Sequence, residues 1–271
     1  MDLFQALIAF LMQTAIALGT LAPPETVVIP GPDGVALRAA LVRPVGAARG
    51  PAVIGLHGCD GPNPPRDGVW AAELATRGHI VLLVDSFGSR GAGPVCRQTN
   101  RAITASGLRR ADAVAAARWL GAQPGVPGGG VVLMGWSNGA STVLAAARRR
   151  GEEKADLFRG FVAFYPGCQA ALASREYAIS APMLLLIGEN DDWTPAAPCR
   201  DLAARFPAQI QFMSYPGAWH GFDVLGRPVR ELRGLAYTAK GNGVAHAGSD
   251  PAARADALVR VPAFFAGLHE R

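Results

Sequence analysis

Short apolar runs alternate with longer mixed stretches along most of the chain. The apolar runs have the length and the bounding turn signals of buried strands; they cover residues 51–56, 80–84, 131–134, 161–164, 183–187 and 209–215. The stretches that predict helices cover residues 69–77, 104–120, 140–149, 198–205 and 251–268. Apolar strands separated by helices are typical of α/β proteins. We therefore expect a mostly parallel central sheet with helices on both faces.

The first strands of this region have a different pattern. Residues 25–29 and 35–42 alternate between apolar and polar side chains, and Pro-Gly-Pro-Asp-Gly separates them at 30–34. This pattern predicts an N-terminal antiparallel hairpin ahead of the parallel strands. Since no linker or internal repeat divides the rest of the chain, residues 23–271 are expected to form one domain.

The chain begins with an apolar segment, residues 3–18, which is followed by Gly19, Pro23 and Pro24. The segment is short for a membrane span and has the length of a signal-peptide core, so residues 1–22 are predicted to be a signal peptide. Asp2 and the absence of Lys or Arg before the segment leave an uncleaved anchor or a buried helix as alternatives. We expect export, periplasmic or secreted, with no membrane attachment after cleavage.

Composition and charge change this interpretation little. Half of the 271 residues are hydrophobic, and 26 Lys and Arg against 21 Asp and Glu leave a net charge of +5. The basic residues form no long run, so nucleic acid is not an expected partner. Zinc-ligand spacing and a G-x-G-x-x-G after a strand are both missing, so no metal and no nucleotide cofactor are expected. The oligomeric state is not predicted.

The most informative motif is Gly135-Trp136-Ser137-Asn138-Gly139, which fits G-x-S-x-G. It lies between the strand predicted at 131–134 and the helix predicted at 140–149. Strand, sharp turn and helix are the context in which this motif exposes a nucleophilic serine. Ser137 is therefore the candidate nucleophile, with an ordinary structural turn as the alternative.

A nucleophilic serine needs a base, and the base needs a carboxylate that orients it. His220 follows the strand predicted at 209–215, whereas His246 lies in a Gly-rich insertion and His269 is near the C-terminus. His220 is therefore the preferred base. Asp191 and Asp192 both follow the strand predicted at 183–187, and adjacent side chains point in different directions. The order Ser, Asp, His is the one that α/β-hydrolases use.

Taken together, these motifs make the chain resemble the dienelactone hydrolase family of α/β-hydrolases, particularly its secreted serine-containing relatives. The resemblance runs from about residue 52 to residue 265 and rests on residues 56–61, 85–91, 135–139, 188–191 and 215–222. It implies the α/β-hydrolase fold, and it favours Asp191, the aspartate of a G-x-x-D pattern, over Asp192. It also implies an oxyanion hole formed by the backbone N–H groups of Cys59 and Asn138.

The sequence departs from the founding enzymes of the family in two places. They carry a cysteine where this chain has Ser137, and a glutamate near the position of Gly58. The dienelactone substrate therefore does not carry over. Arg90 is an approximate counterpart of the family's substrate-binding arginine, with a structural ion pair or cap as the alternative. Trp136 is a candidate contact to the acyl group, with core packing as its alternative.

The expected function is that of an exported serine hydrolase that cleaves a small-molecule ester or lactone. Ser137 would attack the carbonyl carbon, and water would release the acyl-enzyme. Two other functions stay open at this point. One is a catalytically silent scaffold that binds a ligand or partner, and the other is an acyltransferase in which an alcohol replaces water.

The four cysteines test the expected compartment. Cys59 begins the loop after one predicted strand, and Cys96 lies in the long loop after the next. Cys168 and Cys199 likewise follow two successive predicted strands. In an exported protein, disulfides between Cys59 and Cys96 and between Cys168 and Cys199 are therefore expected. In a cytosolic protein all four would be free thiols.

Overall fold

The computed structural model describes residues 21, 23–149 and 157–268. Its strands are β1 Glu25–Pro30, β2 Ala36–Val42, β3 Val53–Leu56, β4 Val81–Asp85, β5 Val131–Trp136, β6 Phe158–Phe164, β7 Met183–Gly188, β8 Ile210–Tyr215, β9 Arg230–Leu232 and β10 Ala245–Ala247. Its α-helices are α1 Val69–Thr76, α2 Leu108–Gly121, α3 Asn138–Ala147, α4 Gln169–Ala173, α5 Ala196–Arg205 and α6 Pro251–Gly267.

An eight-stranded sheet, in the order β1-β2-β4-β3-β5-β6-β7-β8, forms the centre of the molecule. The β1–β2 hairpin joins it through an antiparallel pairing of β2 with β4, and the strands from β3 to β8 are parallel. Helices cover both faces, so every residue of β3, β5 and β7 is buried. The predicted α/β-hydrolase architecture, including the N-terminal hairpin, is confirmed. The parallel strands bring their carboxyl-end loops to one edge of the sheet.

The turn between β5 and α3 is packed unusually close to β3. A Cβ on Gly139 would lie 2.0 Å from the Leu56 carbonyl oxygen, and one on Gly135 would lie 2.6 Å from the Gly139 carbonyl oxygen. Because backbone atoms cannot move aside as a flexible side chain can, both positions require glycine. The two glycines therefore bring the start of α3 against the end of β3.

Two disulfides link loops at the carboxyl edge of the sheet. Cys59 is bonded to Cys96, with Cα atoms 4.9 Å apart, and Cys168 to Cys199, with Cα atoms 5.1 Å apart. These are the pairs expected from the sequence, and they account for all four cysteines. Each bridge joins the loops of two strands that are neighbours in the sheet, β3 with β4 and β6 with β7.

The hydrophobic pattern does not predict the strands β9 and β10. β9 and β10 form a small antiparallel sheet within residues 226–249, here called the insertion, which lies over the carboxyl edge. The strands have only three residues each, too few to show a period. The apolar segment 3–18 lies outside the described residues, so the signal peptide stays a prediction. None of the helices in the described ranges combines the length and the apolarity needed to cross a membrane.

The glycine packing at the turn predicts a specific loss of stability. Gly139→Ala should lower the free energy of unfolding by roughly 1–3 kcal/mol, because the methyl group overlaps the Leu56 carbonyl. Gly121→Ala, at the end of α2, is the matched control, since a Cβ there meets nothing within 4 Å. Urea unfolding followed by circular dichroism measures both. Equal stability of the two variants would contradict this account of the turn.

Candidate active site

Ser137 occupies the turn between β5 and α3 in a backbone conformation that side-chain-bearing residues rarely adopt. Its φ is 53° and its ψ is −115°. The turn is held by the hydrogen bond that the Ser137 N–H donates to the Phe164 carbonyl, at 2.9 Å. Such backbone strain costs on the order of 1–3 kcal/mol and persists only where the surrounding structure enforces it. Here it places the side chain at the carboxyl edge of the sheet.

Ser137, His220 and Asp191 form a continuous chain of hydrogen-bonding groups. His220 Nε2 lies 2.9 Å from Ser137 Oγ, and His220 Nδ1 lies 2.7 Å from Asp191 Oδ2. The three side chains come from loops after β5, β8 and β7 and are all buried. The structure therefore brings together the three residues that the sequence predicts as a triad.

The orientation of Asp191 is fixed by its own loop. Its Oδ1 accepts hydrogen bonds from the backbone N–H groups of Trp193, at 3.0 Å, and Thr194, at 2.8 Å. Oδ2 is thereby left facing His220 and the Thr194 hydroxyl, which lies 3.0 Å away. The loop can approach His220 because Gly188, at the end of β7, has no Cβ; one would lie 2.3 Å from the Ala218 carbonyl oxygen.

The neighbouring aspartate, Asp192, points in another direction and holds the insertion. Its Oδ1 accepts a hydrogen bond from the His246 N–H at 2.7 Å, and its Oδ2 lies 2.8 Å from His246 Nδ1. The Asp192 carbonyl also accepts a hydrogen bond from the Ala239 N–H. His246, the alternative base, is therefore paired with Asp192 and not with Ser137. The alternative His269 lies outside the described residues.

The two residues expected to form the oxyanion hole lie beside Ser137. Cys59, Asn138 and Ser137 together line a cavity of about 470 Å³. Asn138 is the first residue of α3, where backbone N–H groups have no partner within the helix and the helix dipole favours negative charge. The Cys59 carbonyl accepts a hydrogen bond from the Val95 N–H at 2.8 Å, so the backbone of this loop is fixed next to its disulfide.

Two aromatic side chains pack against His220. The rings of Tyr165 and Trp193 lie 4.6 and 4.7 Å from the imidazole. Burial and the nearby charge of Asp223 hold the pKa of Tyr165 well above its usual value. Its hydroxyl therefore stays protonated and donates to Asp223 Oδ1 at 2.6 Å. In the sequence, an aspartate three residues after His220 is the feature that could have indicated a buried polar contact at this place.

Asp223 is a buried carboxylate with three donors around it. Besides the Tyr165 hydroxyl, the indole N–H groups of Trp70 and Trp136 donate to its Oδ2 at 2.8 and 2.9 Å. The hydrogen bond from Trp136 to Asp223 decides whether Trp136 contacts the acyl group or packs in the core. Its ring is buried beneath the site and stacks on Phe164, so Trp136 is a packing residue and the predicted acyl contact is not made.

Arg90 also lies elsewhere than expected. Its guanidinium forms ion pairs with Asp33 of the β1–β2 turn, at 2.8 Å, and with Asp112 of α2, at 2.7 Å. It donates a further hydrogen bond to the Ser86 carbonyl at 2.9 Å. Because two carboxylates of the protein neutralise it, Arg90 cannot serve as the predicted partner of a substrate carboxylate. The structure favours the ion-pair alternative.

Other arginines line the space next to Ser137. A second cavity of about 330 Å³ has both Ser137 and His220 in its wall. Its basic residues are Arg66, Arg97, Arg227 and Arg230, and Asp60 is its one acidic residue among those described. Arg97, Arg227 and Arg230 come from the disulfide-linked loop and the insertion, which is why strand-end motifs do not reveal them.

The His57 ring supports the loop that contains Gly58 and Cys59. The Ser86 N–H donates to His57 Nε2 at 3.3 Å, so Nδ1 carries the proton, and Nδ1 lies 2.8 Å from the Gly58 carbonyl that accepts it. Burial, followed by the charge of Arg109, holds the pKa of His57 well below its usual value. His57 is thus a neutral donor that fixes the loop.

Comparison with known proteins is consistent with this geometry. The family model for dienelactone hydrolases matches residues 37–268. No curated protein matches the sequence significantly. A solved structure from Klebsiella pneumoniae subsp. pneumoniae MGH 78578, provisionally assigned as a dienelactone hydrolase, has a TM-score of 0.65 and 19% identity. That match covers 90% of this chain and 98% of the other.

Two further solved structures indicate how widely the fold is shared. Thermogutta terrifontis esterase 2, phosphorylated by paraoxon, has a TM-score of 0.58 and 20% identity, over 76% of this chain and 86% of the other. A puromycin-hydrolyzing peptidase from Mycobacterium tuberculosis has a TM-score of 0.56 and 21% identity. There the match covers 73% of this chain and 36% of the peptidase. At these identities the likeness shows the common fold.

The lowered pKa of His57 predicts how stability depends on pH. In the folded protein His57 stays neutral, whereas in the unfolded chain it gains a proton below about pH 6.5, so acidification favours unfolding. The His57 contribution should be complete above pH 6.5 and decline by up to ~1.4 kcal/mol per pH unit below it.

His57→Asn, which retains an N–H donor, tests this dependence. Denaturant unfolding at pH 7, 6 and 5 should show a smaller loss of stability on acidification for His57→Asn than for the wild type. Parallel curves for the two proteins would mean that folding does not lower the pKa of His57.

Proposed function

Because the chain belongs to the dienelactone hydrolase family, we propose that it hydrolyses a carboxylic ester or lactone with Ser137 as the nucleophile. One observation carries the proposal. Ser137 Oγ, His220 Nε2, His220 Nδ1 and Asp191 Oδ2 are joined in series at 2.9 and 2.7 Å. This is the connection that activates a serine hydroxyl, which at neutral pH is a weak nucleophile on its own.

In the first half of the reaction, Ser137 Oγ attacks the carbonyl carbon while its proton moves to His220 Nε2. His220 Nδ1 keeps its proton and donates it in a hydrogen bond to Asp191, and the Asp191 carboxylate stabilises the imidazolium that forms. The carbonyl oxygen becomes an oxyanion and accepts hydrogen bonds from the Cys59 and Asn138 N–H groups. Each such donor is worth about 3 kcal/mol of transition-state stabilisation.

In the second half, the tetrahedral intermediate collapses and the C–O bond to the leaving group breaks. His220 gives its proton to the departing alkoxide, which leaves as an alcohol, or stays attached if the substrate is a lactone. Water then attacks the acyl-enzyme, with His220 again taking a proton. The carboxylic acid is released and the Ser137 hydroxyl is restored.

The cavity next to Ser137 supports a substrate that carries a negative charge near its ester. One arginine of its wall, Arg66, is ion-paired with Asp67 at 2.8 Å, which leaves Arg97, Arg227 and Arg230 against one aspartate. They take the place of Arg90, whose charge is neutralised by Asp33 and Asp112. The two disulfides support export, since such bonds persist in oxidising compartments.

Ser137→Ala should abolish ester hydrolysis, because the attacking oxygen is removed. The fold should be retained, since the change deletes one hydroxyl. Paraoxon is a suitable probe, and mass spectrometry should show one phosphoryl adduct on the wild-type protein at the peptide containing residue 137. Phosphorylation or turnover that persists in Ser137→Ala would exclude this residue as the nucleophile.

The two adjacent aspartates provide a matched pair of variants. Asp191→Asn should lower kcat by about 10⁴-fold, by analogy with other triads, because the imidazole loses its orienting carboxylate. Asp192→Asn should leave kcat within about tenfold, since Asp192 contacts His246 and not His220. Steady-state kinetics on a short-chain nitrophenyl ester compares them. The opposite ranking would assign the acid to Asp192.

A further inference from the structure

A fully buried arginine lies beneath the oxyanion hole and connects its two halves. Arg109, in the first turn of α2, has no exposed surface. Its Nη1 donates to Asn138 Oδ1 at 2.5 Å, and its Nη2 donates to the His57 carbonyl at 2.7 Å. Asn138 and the loop that follows His57 carry the two N–H groups assigned to the oxyanion hole. One guanidinium thus spans the segments of both donors.

The link from Arg109 to the Cys59 N–H runs through two fixed groups. Arg109 holds the His57 carbonyl, and the His57 ring donates to the Gly58 carbonyl at 2.8 Å. In a trans peptide the C=O and the N–H point in opposite directions. Holding the Gly58 carbonyl toward the His57 ring therefore turns the Cys59 N–H away from it. The direction of this donor depends on an arrangement that Arg109 supports.

The geometry of the guanidinium suits this task. Its donors form a planar, rigid fork, so bonds to two different acceptors also fix the distance between those acceptors. Burial lowers the pKa of Arg109 to about 10, which leaves it charged at neutral pH. The Phe87 ring, 4.9 Å from the guanidinium carbon, supports its face. A lysine ammonium at this position would keep the charge but lose the fork.

We propose that Arg109 is a positioning residue that holds the Cys59 and Asn138 N–H groups at the separation the oxyanion requires. This inference rests on the proposed function, since it assigns a support to that same site. Oxyanion donors act mainly in the transition state, so a disturbed separation should lower kcat and leave KM nearly unchanged.

The test compares Arg109→Lys and Arg109→Met with Arg118→Met, an exposed arginine on the same helix. For both Arg109 variants kcat per active site should fall about 10- to 100-fold, less than the ~10²–10³ reported for a lost donor. Paraoxon titration gives the concentration of active sites. Because kcat is calculated per titrated site, unfolded protein does not lower it. Affinity for an alkyl boronic acid, which forms a tetrahedral adduct with the serine, should fall in parallel. Arg118→Met should change neither quantity.

Asn138→Ala provides a second route that keeps Arg109 in place. It removes the side-chain oxygen that Arg109 contacts and retains the backbone N–H. It should reproduce part of the loss in kcat, and combining it with Arg109→Met should give less than the product of the two single effects. This variant decides the question if the Arg109 variants do not fold.

The outcomes separate this inference from the function on which it rests. Failure of the wild-type protein to react with paraoxon at Ser137 would contradict the proposed function itself. A wild type that reacts, together with unchanged kcat and boronate affinity per titrated site in the Arg109 variants or in Asn138→Ala, would overturn only the role of Arg109. A rise in KM by the same factor as the fall in kcat would also overturn it, because such a result indicates general damage to the site.

Discussion

The site depends on the contact between the nucleophile turn and the end of β3. Gly139 packs against the Leu56 carbonyl at a distance that leaves no space for a side chain. This contact sets the strained backbone of Ser137 beside the Cys59 loop, and it places the start of α3 where its free N–H groups face the same point. One backbone packing arrangement therefore brings the proposed nucleophile and the proposed oxyanion donors to the same place.

The loops above this turn are tied to one another by covalent and polar contacts. The disulfide and the Val95 N–H hold Cys59 against the loop after β4, and the carbonyl of Cys96 in turn accepts a hydrogen bond from Ala236 of the insertion. Asp192 fastens the other side of the insertion through His246. The insertion is thus joined to Asp192, the residue after Asp191, and to the loop whose Cys96 is bonded to Cys59. Its arginines consequently have defined places in the cavity wall.

The features that the sequence predicts correctly are those encoded over short distances. A buried parallel strand, a hairpin turn and the G-x-S-x-G elbow each follow from a few adjacent residues, and strand ends place Ser137, Asp191 and His220 on a common edge. The features it does not predict depend on partners far along the chain. Arg90 is held by Asp33, 57 residues earlier, and Trp136 by Asp223, 87 residues later. No local pattern reveals such pairs, and adjacency to Ser137 made Trp136 resemble a substrate contact.

Two buried charged side chains lie on different sides of Ser137, and their contacts suggest why they are present. Asp223 accepts hydrogen bonds from Tyr165, Trp70 and Trp136 behind His220, and Arg109 donates to His57 and Asn138 beneath the proposed oxyanion hole. Burying a charge costs several kcal/mol, and hydrogen bonds offset that cost without a large net gain in stability. The contribution of the two charged groups is to orientation, because each one holds several segments of the chain in fixed positions relative to one another. An apolar core of the same volume could hold the sheet together, but it would leave the orientations of the imidazole and of the two N–H donors to the loops alone.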